Sequence, residues 1–109
     1  MVRNVIPYCE IFNISDNLWT VFPDLTQPRA SHSLVLTESL KYLYAFGGVD
    51  LDNKPLNTIE RVRFNNIVDP TKDLNTMWQV ISVQLPEPII NIGCYAVHGS
   101  KEITLFGGM

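Results

Sequence analysis

Short apolar runs separated by turn-forming residues set the rhythm of this chain. Ser33–Thr37, Tyr42–Phe46, Ile59–Phe64, Trp78–Val83 and Ile103–Phe106 are rich in Val, Ile, Leu, Tyr and Phe, and Gly, Pro, Asn, Asp or Ser bound them. Runs of this length and composition predict strands. No amphipathic stretch long enough for a useful helix stands out. Eight strands are expected, near 8–13, 18–22, 32–37, 42–47, 58–65, 77–83, 92–98 and 102–106.

The runs repeat. Gly47-Gly48 closes Tyr42–Phe46, and Gly107-Gly108 closes Ile103–Phe106, 60 residues later. Pro28 and Pro88 are also 60 apart, and Trp19 and Trp78 are 59 apart. The front of each unit matches at another offset: Tyr8–Phe12 aligns with Thr58–Val62, 50 residues on. The difference marks about nine extra residues in the second unit, within an insertion at about 65–76 that includes the turn-like Asp69–Asp73. The units run about 1–48 and 49–109. Fixed-period self-similarity is the signature of a repeat architecture.

Composition narrows the function classes. The chain has 109 residues, 46% hydrophobic and 17% charged, which is a globular composition. Its net charge is −3 and no basic block occurs, so the footprint of a nucleic-acid or anionic-membrane binder is missing. Cys9 and Cys94 sit singly in strand-like runs and read as reduced core thiols. No run approaches a membrane span, and Met1–Ile6 lacks the features of a signal peptide. The expectation is a cytoplasmic protein.

In order, the motifs are Pro28-Arg29-Ala30-Ser31-His32, Tyr42–Phe46 with Gly47-Gly48, Leu56–Glu60 and Trp78. This ordered set resembles the Kelch repeat family, and the resemblance covers essentially all of residues 1–109. It implies an all-β fold, a segment of a Kelch-type β-propeller. A Kelch blade has four strands, the double glycine ending the second. The phase therefore implies one complete four-stranded blade flanked by two half blades. Gly47, Gly48, Gly107 and Gly108 would end inner strands where blades crowd, Trp19 and Trp78 would fill the space between blades, and Glu10 and Glu60 occupy the recurring acidic position. Val62 in place of Phe12, Ile89 in place of Arg29 and the long period depart from the pattern.

Candidate chemistry concentrates in the loops. Arg29 and Ser31 lie where Kelch propellers often grip partners, and an Arg there suits a carboxylate; the other reading is that Arg29 braces its loop against a neighbouring blade. Asp50, Asp52 and Asn53 follow Gly48 and read as a partner-facing turn, with cation binding the less favoured alternative. Glu10 and Glu60, as repeat equivalents, are expected to brace rather than to form a catalytic pair. His32 and His98 lack metal-ligand spacing, and no metal or other cofactor is expected. The insertion is expected on the face opposite the Arg29 loop.

The resulting expectation is a protein–protein interaction scaffold, for example of substrate-adaptor or cytoskeleton-associated type, and not an enzyme. Its partners would be other proteins, with further blades of a longer chain, or self-association, completing the propeller. The alternatives are a propeller hydrolase, lyase or oxidase with its site outside this segment, and a structural fragment without independent function.

Overall fold

The computed structural model describes residues 5–37, 42–63, 77–96 and 101–109. These residues form eight strands and no helix: β1 (Cys9–Asn13), β2 (Leu18–Phe22), β3 (Ser33–Thr37), β4 (Tyr42–Phe46), β5 (Ile59–Arg63), β6 (Gln79–Val80), β7 (Gly93–Ala96) and β8 (Ile103–Phe106). The all-β expectation and the number of strands hold among the described residues. None of these residues forms a helix long and apolar enough to cross a membrane.

The strands build three antiparallel sheets: β1-β2, then β3-β4-β5-β6, then β7-β8. β6 is shorter than the expected 77–83. It pairs only through Glu60↔Val80 and Arg61↔Gln79. A bend at Ser82 then takes the chain off the ladder, and it returns where the Leu85 amide donates to the Asn57 carbonyl at 2.8 Å. The insertion at 65–76 and residues 97–98 of the expected seventh strand lie outside the described residues.

Strand periodicity gives each sheet two faces. One face of β3–β6 carries Leu43, Ala45, Val62 and Trp78, which pack with Phe22, Leu25, Cys9 and Ile11 of the β1-β2 sheet and its outgoing connector. The other face carries Val35, Tyr44, Phe46 and Ile59, which pack with Cys94, Ile103 and Leu105 of β7-β8 and with Leu85 and Ile92 of the connector. The sheets therefore stack one on the next, with the apolar cores between them.

The repeat read from the sequence recurs in the backbone. Ala30 and Val49 exchange two hydrogen bonds of 3.0 and 2.8 Å, and their equivalents Ile90 and Met109 exchange two of 3.1 and 2.9 Å. Leu25 donates to the Pro7 carbonyl at 2.9 Å just as Leu85 donates to Asn57. Gly47 and Gly107 share a φ of +60°, with Gly48 and Gly108 at +92° and +104°. Ser31 and Asn91 match at +54° and +56°. These angles lie where a Cβ meets its own backbone, which explains the paired glycines. At Gly47 the position is also crowded, because a Cβ would run into the Ile89 carbonyl.

Trp78 and Trp19 divide sharply. Trp78 is 4% exposed, and its indole donates to the Pro23 carbonyl at 3.0 Å. Trp19, expected to fill the same kind of space, is 65% exposed among the described residues. The reason is geometric: Trp19 shares the outer face of β1-β2 with Glu10, Phe12 and Val21, and no described sheet covers that face. Its main contact is the Phe12 ring, 4.9 Å away between centroids.

Candidate interaction face

The connector before β3, the turn after β4 and the connector before β7 meet at one end of the sheets. Isolated bridges join Ala30 to Val49 and Val49 to Pro55, and the Asn91 amide donates to the Ser31 carbonyl at 2.9 Å. The opposite end is marked by the Asn13–Leu18 turn and by Arg63 at the end of β5.

The Asp50–Lys54 turn is held by a single carboxylate. Asp50 Oδ1 accepts from the amides of Asp52 at 2.8 Å and Lys54 at 2.9 Å, and the Asn53 amide donates to the Asp50 carbonyl at 3.1 Å. Asn53 takes a φ of +60°, which its short polar side chain tolerates. The Asp50 carboxylate thus builds the turn, and the exposed side chains of Leu51, Asp52, Asn53 and Lys54 are what the turn presents. Ser31 and Asn91, both exposed, stand on the neighbouring connectors.

Arg29 does not join that surface. It was expected to grip a partner or to brace its loop, and its side chain is fully buried. One guanidinium nitrogen donates to the carbonyls of Gly47 at 2.9 Å and Thr58 at 3.2 Å; the other donates to Thr58 Oγ1 at 3.1 Å and Glu60 Oε2 at 2.8 Å. The Glu60 carboxylate also accepts from the amides of Thr26 at 2.8 Å and Gln27 at 3.3 Å. Connector and sheet are thereby locked through one buried ion pair. Arg29 braces its connector against the four-stranded sheet that the connector leads into, and the partner-gripping alternative fails for want of access.

Glu10 and Glu60 do not converge either, since they stand in different sheets and only Glu60 is enclosed. Cys9 and His32 line a largely apolar cavity of about 140 Å³ between the first two sheets, together with Phe22, Leu25, Leu43 and Trp78. Among the described residues no three His, Cys, Asp or Glu side chains come together in a way that would hold a metal ion. Burial and the nearby Arg29 charge hold the His32 imidazole below its ordinary value. Burial pushes the Cys9 and Cys94 thiols up, so both stay protonated at neutral pH.

Sequence reasoning missed the pairing of Arg29 with Glu60 and the left-handed backbone at Ser31 and Asn91. A polar residue at the same repeat position, immediately ahead of each expected strand, was the available signal for the second. No protein-family model matches the sequence, and no curated protein does.

Proposed function

We propose that the chain is a segment of a Kelch-type β-propeller that serves as a protein-interaction scaffold. On this reading β3–β6 is a whole blade, and β1-β2 and β7-β8 are halves of its neighbours. The observation that carries it is the repeated geometry: two equivalent connectors, two equivalent double glycines and two apolar interfaces between successive sheets. Stacked sheets related in this way are the units of a propeller, in which each buries its faces against the next.

Partners dock on the end formed by Ser31, Asp52, Asn53, Lys54 and Asn91. A turn preorganised by Asp50 offers both charges and amide groups at little cost in ordering. Loops held by a rigid β scaffold are the usual place for recognition.

The test exchanges the two exposed charges of the turn, Asp52→Lys with Lys54→Glu, and uses Ser15→Lys at the opposite end as control. Proteins captured by the unaltered chain should be lost with the first variant and kept with the second. Full retention by the charge-exchanged chain would remove this face from consideration.

A further inference from the structure

The turn between β1 and β2 contains Asn13-Ile14-Ser15, and no other asparagine of the chain is followed two places on by Ser or Thr. Asn-x-Ser/Thr with a middle residue other than Pro is the acceptor sequence for N-linked glycans. Such an acceptor has to stand at the surface, and every residue from Asn13 to Leu18 is exposed, Ile14 at 84%. Residues 14–17 lie beyond Asn13↔Leu18, the last pair of the ladder, so their exposure belongs to the hairpin tip and not to an uncovered sheet face.

The side chain of Asn13 is oriented by its own motif. The Ser15 amide and the Ser15 hydroxyl both donate to Asn13 Oδ1 at 2.9 Å. A backbone N–H can only donate, so the atom it meets is the oxygen, and the amide nitrogen Nδ2 stands on the other side. Among the described residues Nδ2 has no hydrogen-bond partner. Holding the turn calls for the oxygen alone. Asp16 Oδ1 accepts from the Leu18 amide at 3.0 Å in the same turn, and Asp50 holds its own turn through one carboxylate oxygen. An aspartate would therefore serve at position 13, and the Nδ2 group there is surplus to the fold. Nor does the motif belong to the repeat, because the equivalent of Asn13 after Ile59–Val62 is Arg63.

We propose that Asn13 is an N-glycosylation site. In the transfer, Asn13 Nδ2 attacks C1 of a sugar carried on a lipid diphosphate. The N–C bond forms as the C1–O bond to the diphosphate breaks. The lipid diphosphate leaves with the electron pair, and one Nδ2 proton passes to a base on the transferase. Ser15 supplies the hydroxyl that the acceptor sequence requires two places on. Donor and transferase are those of the secretory lumen, so the proposal sets this turn there in place of the cytoplasm expected from the sequence. The cysteines suit that compartment, since Cys9 and Cys94 stand in separate sheets, both free and half-buried. The glycan would stand at the end of the sheets away from Ser31, Asp52 and Asn91. The proposal therefore does not rest on the partner-binding reading.

The test is made on the protein purified from the cells that make it. Trypsin releases residues 4–29 as one peptide with the motif inside it. That peptide should carry a glycan. Peptide N-glycosidase in heavy-oxygen water should remove it and convert Asn13 to a labelled aspartate. Asn13→Asp and Ser15→Ala, expressed in the same cells, should each lose the glycan, and Ser15→Thr should keep it. Asn13→Asp retains an oxygen for the Ser15 contacts, so its melting temperature should match that of the enzymatically deglycosylated protein. That match separates loss of the glycan from loss of the fold. An unmodified peptide 4–29 in the protein from its own cells would overturn the proposal, and so would a glycan that survives Ser15→Ala. Neither result bears on the Asp52 and Lys54 capture test, so the two readings fail separately.

Discussion

The Arg29 guanidinium meets the Glu60 carboxylate at 2.8 Å with both side chains fully buried, 31 residues apart in the chain. Burying two charges is costly, and only complete hydrogen bonding offsets it. Here the carboxylate takes two further backbone amides, and the two terminal guanidinium nitrogens take two carbonyls and a hydroxyl, which leaves only the buried Nε of Arg29 without a partner in the pair. Removing one partner strands the other. Arg29→Met or Glu60→Gln should each cost about 3–5 kcal/mol in urea unfolding. The double variant Arg29→Met, Glu60→Met should cost less than the sum of the single changes, because no unpaired charge remains.

The equivalent glycines should differ in their tolerance. Gly107 needs only its left-handed backbone, since open space surrounds the position of a Cβ. Gly107→Ala should cost about 1–2 kcal/mol from that strain. Gly47 has the same φ, and its Cβ would also strike the Ile89 carbonyl. Gly47→Ala should therefore be distinctly the worse of the two in thermal melts, because backbone must move to admit it.

The tryptophans report on the outer face of the first sheet and on the core between the first two sheets. Trp78→Ala should cost about 3–5 kcal/mol, as expected for a large side chain removed from a core. Trp19→Ala should cost about 1 kcal/mol, the value of its pairing with Phe12. Fluorescence gives a cleaner reading. Trp19→Phe leaves the buried indole of Trp78 and should shift emission to the blue, whereas Trp78→Phe should shift it to the red.

His32 makes stability depend on pH in a definite direction. Its folded pKa lies below the ordinary 6.5 because burial penalises the charged imidazole, with the Arg29 charge adding to the effect and Glu60 opposing it. The unfolded chain therefore takes up the proton first. Stability should be unaffected by this group above pH 6.5 and should fall as pH drops from there toward the lower folded value. Urea midpoints across that range should show the slope, and His32→Gln should flatten it.

The strands were legible because alternation, short length and bounding turn residues all favour β structure at Ser33–Thr37, Tyr42–Phe46 and Ile103–Phe106. The repeat was legible for the same reason that it matters: Gly47 and Gly107 answer a backbone angle few other residues accept. What periodicity does not carry is the partner of a polar side chain. Arg29 and Glu60 meet because a connector folds over a sheet, and nothing local to either residue says so. Nor does the sequence distinguish Trp19 from Trp78, since both occupy one repeat position and only the covering sheet separates them. In the candidate face, Asp50 and Asn53 were read correctly as turn residues, whereas the burial of Arg29 became visible only in three dimensions.

The account stands most directly on where a partner touches the molecule. A protein captured by the chain and titrated into an isotope-labelled sample should shift the amide resonances of Ser31, Asp52, Asn53, Lys54 and Asn91, and leave Asn13–Leu18 unmoved. Shifts confined to the Asn13–Leu18 turn, with the Asp50–Lys54 turn silent, would contradict it.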